Sequence, residues 1–179
     1  MQTYSHLLLT AVSRHLLRKA KLADPKTAVL LGSFAPDTPL TLITIGYTLQ
    51  KRRQGSKELF GEEYDRNYFE NPFWITAHNL FHAPFCLLMI AIIGTLAMRR
   101  GKAWGESFVW FAIGCGFHTL LDIFTHVNAG PVLLYPFNWR NRYRATVSYW
   151  DPSYGGRTFD MYELALDIGL VIYLINAWY

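Results

Sequence analysis

The apolar residues of this 179-residue chain are gathered into blocks, and most of the charged residues lie between the blocks. Four such blocks stand out, at residues 27–50, 83–98, 103–124 and 164–179. A helix that spans a bilayer needs about 20 apolar residues, with about 17 as the lower limit, and flanking Trp, Tyr and basic residues extend a short one. We therefore predict an all-α, polytopic membrane protein with about four apolar helices.

Length and charge narrow the class further. A chain of 179 residues suits one domain, so we expect residues 1–179 to form a single integral-membrane unit. The net charge of +4 is small beside the basic surfaces of nucleic-acid-binding proteins, which argues against a nucleic-acid partner and for contact with anionic lipid. The two cysteines lie in apolar runs without CxxC spacing, so neither a disulfide framework nor a thiolate zinc site is indicated.

Two further features of the sequence predict where helices break and where an additional helix lies. Pro36 and Pro39 interrupt the first block and predict a break in its helix. Residues 5–20 place Leu8, Val12 and Leu16 on one side of a helix, with basic residues elsewhere. This pattern predicts an N-terminal amphipathic helix, either at the membrane surface or packed on the core of the domain.

Four of the six histidines fall in two compact clusters. His78 and His82 are four residues apart, which on a helix places them on one face, about 6 Å apart along the axis. Asp122 lies four residues after His118 and four before His126, so the same spacing predicts a row of three possible ligands.

The positions of the clusters predict a common metal site. The His78/His82 pair opens the second apolar block, and the His118/Asp122/His126 row closes the third. Two antiparallel helices joined by the short basic turn at residues 99–102 would bring both clusters to one membrane face. Buried imidazoles and carboxylates are costly unless they are paired or bound to a metal. The ligand set favours zinc, with one to three ions and with manganese or iron as alternatives.

Two further residues have open interpretations. Asp37 lies in the broken part of the first block, where it could bind the metal or cap the helix that begins near Thr38. His6 heads the amphipathic helix and could reach the metal site or face lipid headgroups.

Arg140, Arg142 and Arg144 alternate along the chain, so they share one face if the segment is extended. Guanidinium groups suit phosphate, and tyrosines and tryptophans surround the segment. The arginines are therefore candidate substrate-binding residues, with anchoring of a loop to anionic lipid as the alternative.

With these residues in view, the sequence resembles the membrane-bound metal-dependent hydrolase family that includes a LexA-regulated inner-membrane protein. The resemblance rests on HTLLDIFT at 118–125 followed by GPVLLYPF at 130–137, on GSFAPD at 32–37 and on the His78/His82 pair, and it extends to FDMYEL at 159–164. In that family the histidine pair usually has the sequence HRGxTH. In this chain the pair reads HNLFH at 78–82, so the arginine is missing and the spacing is one residue shorter.

The resemblance implies a location in the prokaryotic inner (plasma) membrane and a distant similarity to zinc-dependent phospholipase C. It also implies the metal ligands, which are Asp37, His78, His82, His118 and Asp122, with His126 as a further candidate. The implied activity is hydrolysis of an ester or phosphoester, for example in a phospholipid, with Asp37 or Glu163 as the catalytic proton acceptor. The expected partners are membrane lipid and an amphipathic or phosphorylated small molecule, and an oligomer or larger complex is left open.

Two other functions compete with hydrolysis. Histidines from neighbouring helices could bind haem, although Asp37 and Asp122 would then have no role. A noncatalytic subunit or scaffold could retain a structural metal or none, and the altered histidine pair is compatible with it.

The apolar blocks generate the first testable prediction. Because they should be embedded in the bilayer, we expect the native protein to stay in the membrane pellet when membranes are washed with alkaline carbonate. Immunoblotting of pellet and supernatant measures the distribution, with a peripheral membrane protein as the control that is released. Release of this protein into the supernatant would contradict the prediction.

Overall fold

The computed structural model describes residues 1–178, which form eight α-helices and no β-strand. The helices are α1 (Thr3–Lys19), α2 (Ala28–Phe34), α3 (Thr38–Arg53), α4 (Glu62–Glu70), α5 (Pro72–Asn79), α6 (Pro84–Arg99), α7 (Trp104–Thr125) and α8 (Gly156–Trp178). Single 3-10 turns lie at Ala35–Asp37 and Pro152–Tyr154. The predicted all-α class is confirmed for these residues.

The apolar blocks became helices, but fewer of them than predicted qualify as spans. Among the described residues, two helical stretches are long and apolar enough to cross a membrane, namely Ala28–Arg53 with 26 residues and Trp104–Thr125 with 22. The pair α5 and α6, bent by 52°, qualifies as a third if it is one span. The count is therefore two or three where the sequence suggested about four.

Within the described residues, α8 is not one of these candidate spans. It begins at Gly156, eight residues before the predicted block, and this added part carries Asp160 and Glu163. Glu163 and Asp167 are both buried, and Asp167 accepts a hydrogen bond from the Ser5 hydroxyl of α1. Glu163 and Asp167 of α8 therefore serve polar contacts with the N-terminal segment, whereas Asp160 is exposed. Tyr179, at the end of the predicted block, lies outside the described residues.

Helix α7 is the centre of the bundle, with its most extensive contacts to α2 and α6. Gly32 of α2 and Gly114 of α7 allow the first of these pairs to approach closely. A Cβ at Gly32 would overlap the Phe111 carbonyl oxygen, and one at Gly114 would overlap that of Val29. Small residues permit close backbone approach between membrane helices, and here that approach sets the position of α2 beside the end of α7.

The proline break in the first block is smaller than the sequence suggested. Phe34 ends α2, one 3-10 turn follows, and α3 starts at Thr38. Pro36 and Pro39 each lie in the first two positions of their helical segment, where a missing backbone N–H costs no helical hydrogen bond. The chain therefore continues as one long apolar stretch with a change of helix type at Asp37.

Helix α1 packs on the bundle, which decides between the two readings of the amphipathic segment. Its contacts are with α2, α8 and α7. The buried residues of α1 are Ser5, His6 and Thr10, whereas Leu16 is 48% exposed. The fully buried side chains of α1 are thus polar, and they face polar groups of α7 and α8.

The close contact between α2 and α7 generates the second prediction. Gly114→Ala inserts a methyl group against the Val29 carbonyl, so we expect destabilisation by about 1–3 kcal/mol. Gly169→Ala in α8 is the matched control, because nothing lies within 4 Å of its added Cβ. Thermal midpoints of the detergent-purified proteins, measured by size-exclusion chromatography after heating, compare the variants. A Gly114→Ala midpoint equal to or above that of Gly169→Ala contradicts the prediction.

Candidate metal centre

Four side chains from three parts of the chain converge at the end of α7. Asp37 lies at the junction of α2 and α3, His82 lies between α5 and α6, and His118 and Asp122 lie on α7. One ligand atom from each lies within 4.8 Å of the others. His82, His118 and Asp122 are buried, and the Asp37 side chain is 26% exposed. These residues are called the four-residue group below.

His118 is oriented by the backbone of α2. Its Nδ1 donates a hydrogen bond to the Ser33 carbonyl over 2.8 Å. Pro36, one turn further on, has no backbone N–H to offer to that part of the helix. The bond directs the His118 Nε2 toward Asp122 Oδ2, at 3.1 Å, and Asp37 Oδ1, at 3.5 Å.

His82 is oriented in the same manner by the backbone of α5, although His82 itself lies after the end of that helix. Helix α5 ends at Asn79 and α6 begins at Pro84, because the residue before a proline is disfavoured in the α conformation and Ala83 is extended. The prediction that His78 and His82 share one helical face was therefore wrong. The His82 Nδ1 donates to the His78 carbonyl over 2.5 Å, and its Nε2 lies 3.4 Å from Asp122 Oδ2.

His78 contacts this arrangement through its backbone carbonyl, and its side chain lies outside the four-residue group. Its Nδ1 lies 3.2 Å from the Tyr68 hydroxyl, which itself donates to the Ala129 carbonyl. The His78 and His82 ring centroids are 4.7 Å apart, but His78 is not one of the four-residue group. The structure thus places His78 beside the ligands predicted with it.

Asp37 occupies the N-cap position of α3, yet its side chain makes no capping hydrogen bond. Its Oδ2 accepts a hydrogen bond from the Thr3 hydroxyl over 2.5 Å, and its Oδ1 faces the histidines. Of the two roles that the sequence left open for Asp37, the geometry therefore favours the one in the site. Thr3 was not among the predicted residues, and no local signal in the sequence identifies it.

Asp122 presents its two oxygens to different neighbours. Oδ2 faces His82 and His118, whereas Oδ1 lies 3.1 Å from the His6 Nε2 and 3.3 Å from the amino group of Met1. The His6 ring stacks on that of His118, with centroids 3.8 Å apart, and is fully buried. Burial lowers the pKa of His6, which favours a neutral ring. His6 therefore reaches the site and does not face lipid headgroups.

His126 is the first residue after α7, where the backbone becomes extended. Its Nδ1 donates to the Asp122 carbonyl over 3.0 Å and lies 3.6 Å from Asp122 Oδ1. Burial lowers the pKa of His126 to about 4. The predicted row of three ligands on one helix is thus interrupted after Asp122, and His126 lies outside the four-residue group.

Glu163 lies on α8 and accepts a hydrogen bond from the Gln2 backbone N–H over 2.7 Å. Asp167, one turn later, holds Ser5. These contacts fix the first turn of α1, which carries both Thr3 and His6. Glu163 therefore acts on the group through the backbone of α1, and Asp167 is a supporting residue that the sequence interpretation missed although it is a charge within an apolar block.

A cavity of about 280 Å³ opens beside the four-residue group. Asp37 and His126 line it together with residues of α3 that include Leu40 and Thr44. Because Asp37 is the most exposed member of the group, the cavity provides access to the site from outside the bundle.

The three predicted substrate-binding arginines do not form one surface. Arg142 donates to the Gly130 carbonyl, and its guanidinium lies 4.8 Å from the centroid of the Tyr68 ring. Arg144 donates to the Tyr154 hydroxyl over 3.0 Å, and Arg140 is exposed. None of the three borders the cavity beside Asp37. The alternating spacing failed as a guide because the segment folds Arg142 inward.

The site contains buried histidine nitrogens without hydrogen-bond partners among the described residues, and such atoms can bind a cation. In the described part of the chain, the buried Nε2 atoms of His6, His82 and His118 have no hydrogen-bond partner, although carboxylate oxygens lie within 3.5 Å of each. Buried polar atoms are rarely left unpaired, and metal-binding histidines characteristically donate their other ring N–H to a carbonyl or carboxylate. His82 and His118 both show this second feature, so the residues present fit a divalent metal ion.

The same geometry disfavours the haem interpretation. The His82 and His118 rings meet edge to face, with centroids 5.1 Å apart. Their Nε2 atoms approach one oxygen of Asp122, which occupies the place where an iron with its macrocycle would have to lie between two axial ligands.

Comparison with known proteins places the chain in a family. The model of the YdjM inner membrane protein family matches residues 1–178, and the chain belongs to that family. This match confirms the predicted inner-membrane location, in agreement with the apolar helices. It supports the membrane-protein part of the sequence resemblance and does not extend to a hydrolase or to phospholipase C. No curated protein and no solved structure matches the chain.

The position of Asp122 between His82 and His118 generates the third prediction. Asp122→Asn replaces a carboxylate that faces His82 and His118 with an uncharged amide, so we expect zinc affinity to fall at least tenfold. Elemental analysis of detergent-purified protein after equilibration with zinc measures the metal content. Asp160→Asn, at an exposed position on α8, is the matched control. Equal metal content in the two variants would count against a site at Asp122.

Proposed function

We propose that this YdjM-family inner membrane protein is a metal-dependent hydrolase that cleaves an ester or phosphoester group of a membrane-associated substrate. The proposed metal is zinc, with manganese or iron as alternatives. Its proposed ligands are His82, His118 and Asp122, and Asp37 lies beside them on the side that remains open to water. Family membership supports the membrane location, and the residues of the site support the hydrolytic activity.

The observation that carries the proposal is the matched orientation of two histidines. The Nδ1 atoms of His82 and His118 both donate to backbone carbonyls, so each neutral ring turns an Nε2 lone pair toward the space shared with two carboxylates. Hydrogen bonds from both Nε2 atoms would instead require two buried imidazolium rings, which is costly. A divalent cation satisfies both rings in the neutral form and balances both carboxylates.

Asp37 is the proposed proton acceptor because it alone of the four residues both borders the cavity and is partly exposed. When bound, zinc supplies acidification of a water molecule and polarisation of the substrate oxygen. Water adds to the carbonyl or phosphoryl centre, and the bond to the leaving oxygen breaks. Asp37 takes the proton from the water and returns it to the leaving oxygen, so that the products are an acid and an alcohol.

Glu163, the other carboxylate that the sequence suggested for this role, is less well placed. It is buried, holds the Gln2 backbone, and does not border the cavity. We assign it a positioning role, because it fixes the turn of α1 from which Thr3 holds Asp37.

The number of ions follows from the two sides of Asp122. One ion fits the four-residue group on the Oδ2 side. A second ion would have Asp122 Oδ1 and His6 as its nearest ligands, and His126 would have to turn to join them, because its Nδ1 already bonds to the Asp122 carbonyl. The proposal therefore needs one ion and has room in its ligand set for another.

A noncatalytic protein with a structural metal is the competing function. Structural zinc sites are closed by four protein ligands, whereas catalytic sites keep a position open to water. The exposure of Asp37 and the adjoining cavity favour an open site.

Metal removal and reconstitution test the proposal. We expect the zinc-loaded, detergent-purified protein to hydrolyse 4-nitrophenyl butyrate or bis(4-nitrophenyl) phosphate, and we expect chelation to reduce kcat at least a hundredfold and added zinc to restore it. His118→Ala should remain inactive after zinc is added, because a ligand is missing. His15→Ala, a histidine of α1 outside the four-residue group, is the matched control.

Two results would contradict this prediction. Activity that survives complete metal removal would separate hydrolysis from the metal. Stoichiometric zinc without hydrolysis of either compound would favour the structural-metal function.

A further inference from the structure

We propose that the cavity beside Asp37 selects an uncharged carboxylic ester with an alkyl chain, rather than an anionic phosphate ester. This inference rests on the proposed hydrolase function and narrows its substrate. Three features support it: the groups that line the cavity, the position of the arginines and the exposed apolar face that the cavity meets.

The polar groups that line the cavity are mainly hydroxyls. Thr41 and Thr44 come from α3, Tyr64 from α4, and Tyr149 from the segment after α7. The Thr44 and Tyr64 hydroxyls lie 3.1 Å apart and form a hydrogen-bonded pair on the wall. Hydroxyls donate to and accept from uncharged oxygens, so this lining matches a carbonyl and an ester oxygen.

The charges beside the cavity are unfavourable for an anion. Asp37 places a carboxylate on its wall, and no lysine or arginine is among the described residues that line it. One divalent ion in the four-residue group would balance Asp37 and Asp122, and the amino group of Met1 leaves one further positive charge. That amino group is engaged, because it donates to Asp122 Oδ1 and to the Thr125 hydroxyl. An anionic phosphate in the cavity would therefore lie beside the Asp37 carboxylate, with no lysine or arginine on the described wall to offset the repulsion.

The arginines that could have bound phosphate are engaged or located elsewhere. Arg142 is directed to the Gly130 carbonyl and to the aromatic rings of Tyr68 and Phe69. Arg144 bonds to Tyr154, and Arg140 faces a separate depression beside Trp139. The bidentate recognition that arginine offers to phosphate is thus absent from the described wall of the cavity.

The size of the cavity and the exposed residues beside it indicate the alkyl part of the substrate. At about 280 Å³ it is at the small end for a ligand pocket, so it accommodates an ester group and a few carbons. Ile45 lines the cavity and is also 49% exposed, and Leu49, one helical turn further along α3, is 51% exposed. A longer alkyl chain can leave the cavity along these two residues toward the bilayer.

A matched pair of uncleaved ligands tests the charge selection independently of activity. Dibutyl carbonate and dibutyl phosphate have the same two alkyl chains, and only the second carries a charge. We expect isothermal titration calorimetry of the zinc-loaded protein in dodecyl maltoside to give a Kd at least tenfold lower for dibutyl carbonate. Tighter binding of dibutyl phosphate, or binding of neither compound, overturns the inference.

A positive charge introduced on the cavity wall gives a second test of the inference. Thr41→Lys adds a cation at an exposed position that lines the cavity, and we expect it to tighten dibutyl phosphate binding about fivefold. Thr48→Lys is the matched control, because Thr48 lies two turns further along α3 and does not line the cavity. Partition of the ligands into micelles is the same for both variants. Equal effects of the two substitutions overturn the inference.

The rates of hydrolysis separate this inference from the hydrolase proposal. Cleavage of 4-nitrophenyl butyrate by the zinc-loaded protein, with the binding preference above, supports both. A larger rate enhancement for bis(4-nitrophenyl) phosphate would overturn the inference of an uncharged substrate and would still support the hydrolase proposal. Selective binding of dibutyl carbonate with no hydrolysis of either chromogenic compound supports the selectivity of the cavity and overturns the hydrolase.

Discussion

Two hydrogen bonds from histidine side chains to backbone carbonyls organise this protein. The bond from His118 to Ser33 and the bond from His82 to His78 leave the opposite nitrogen of each ring facing Asp37 and Asp122. A rotated ring would break its carbonyl bond in a buried place, where an unpaired polar group is costly. The four-residue group is therefore held by the main chain of two different helices rather than by its members alone.

Contacts between the helices of the bundle hold the four-residue group in position. Close contact at Gly32 and Gly114 brings the last turn of α2 against α7, and this contact places the Ser33 carbonyl within reach of His118. On the other side, Glu163 and Asp167 of α8 hold the first turn of α1. Polar contacts between membrane helices are retained where they support a function, and these contacts hold the residues that position Asp37 and Asp122.

How far the sequence predicts the structure differs from residue to residue. Helices α6 and α7 were predicted to within one residue at each end, because long apolar runs bounded by charge have few alternatives. Four-residue spacing correctly placed His118 and Asp122 on one face, since both lie inside a long helix. The same spacing failed for His78 with His82 and for Asp122 with His126, because Pro84 and the end of α7 interrupt the helix between or after them.

The sequence by itself determined the helical class, the membrane location and the kinds of ligand available, because apolar block length and residue chemistry are local properties. Only the tertiary structure decided that Asp37 points into the site instead of capping α3, that His6 stacks on His118, and that Arg142 turns away from the cavity. Each of these depends on a partner distant in the chain, such as Thr3 for Asp37. Such pairings are set by how the helices pack, and no spacing along one segment encodes them.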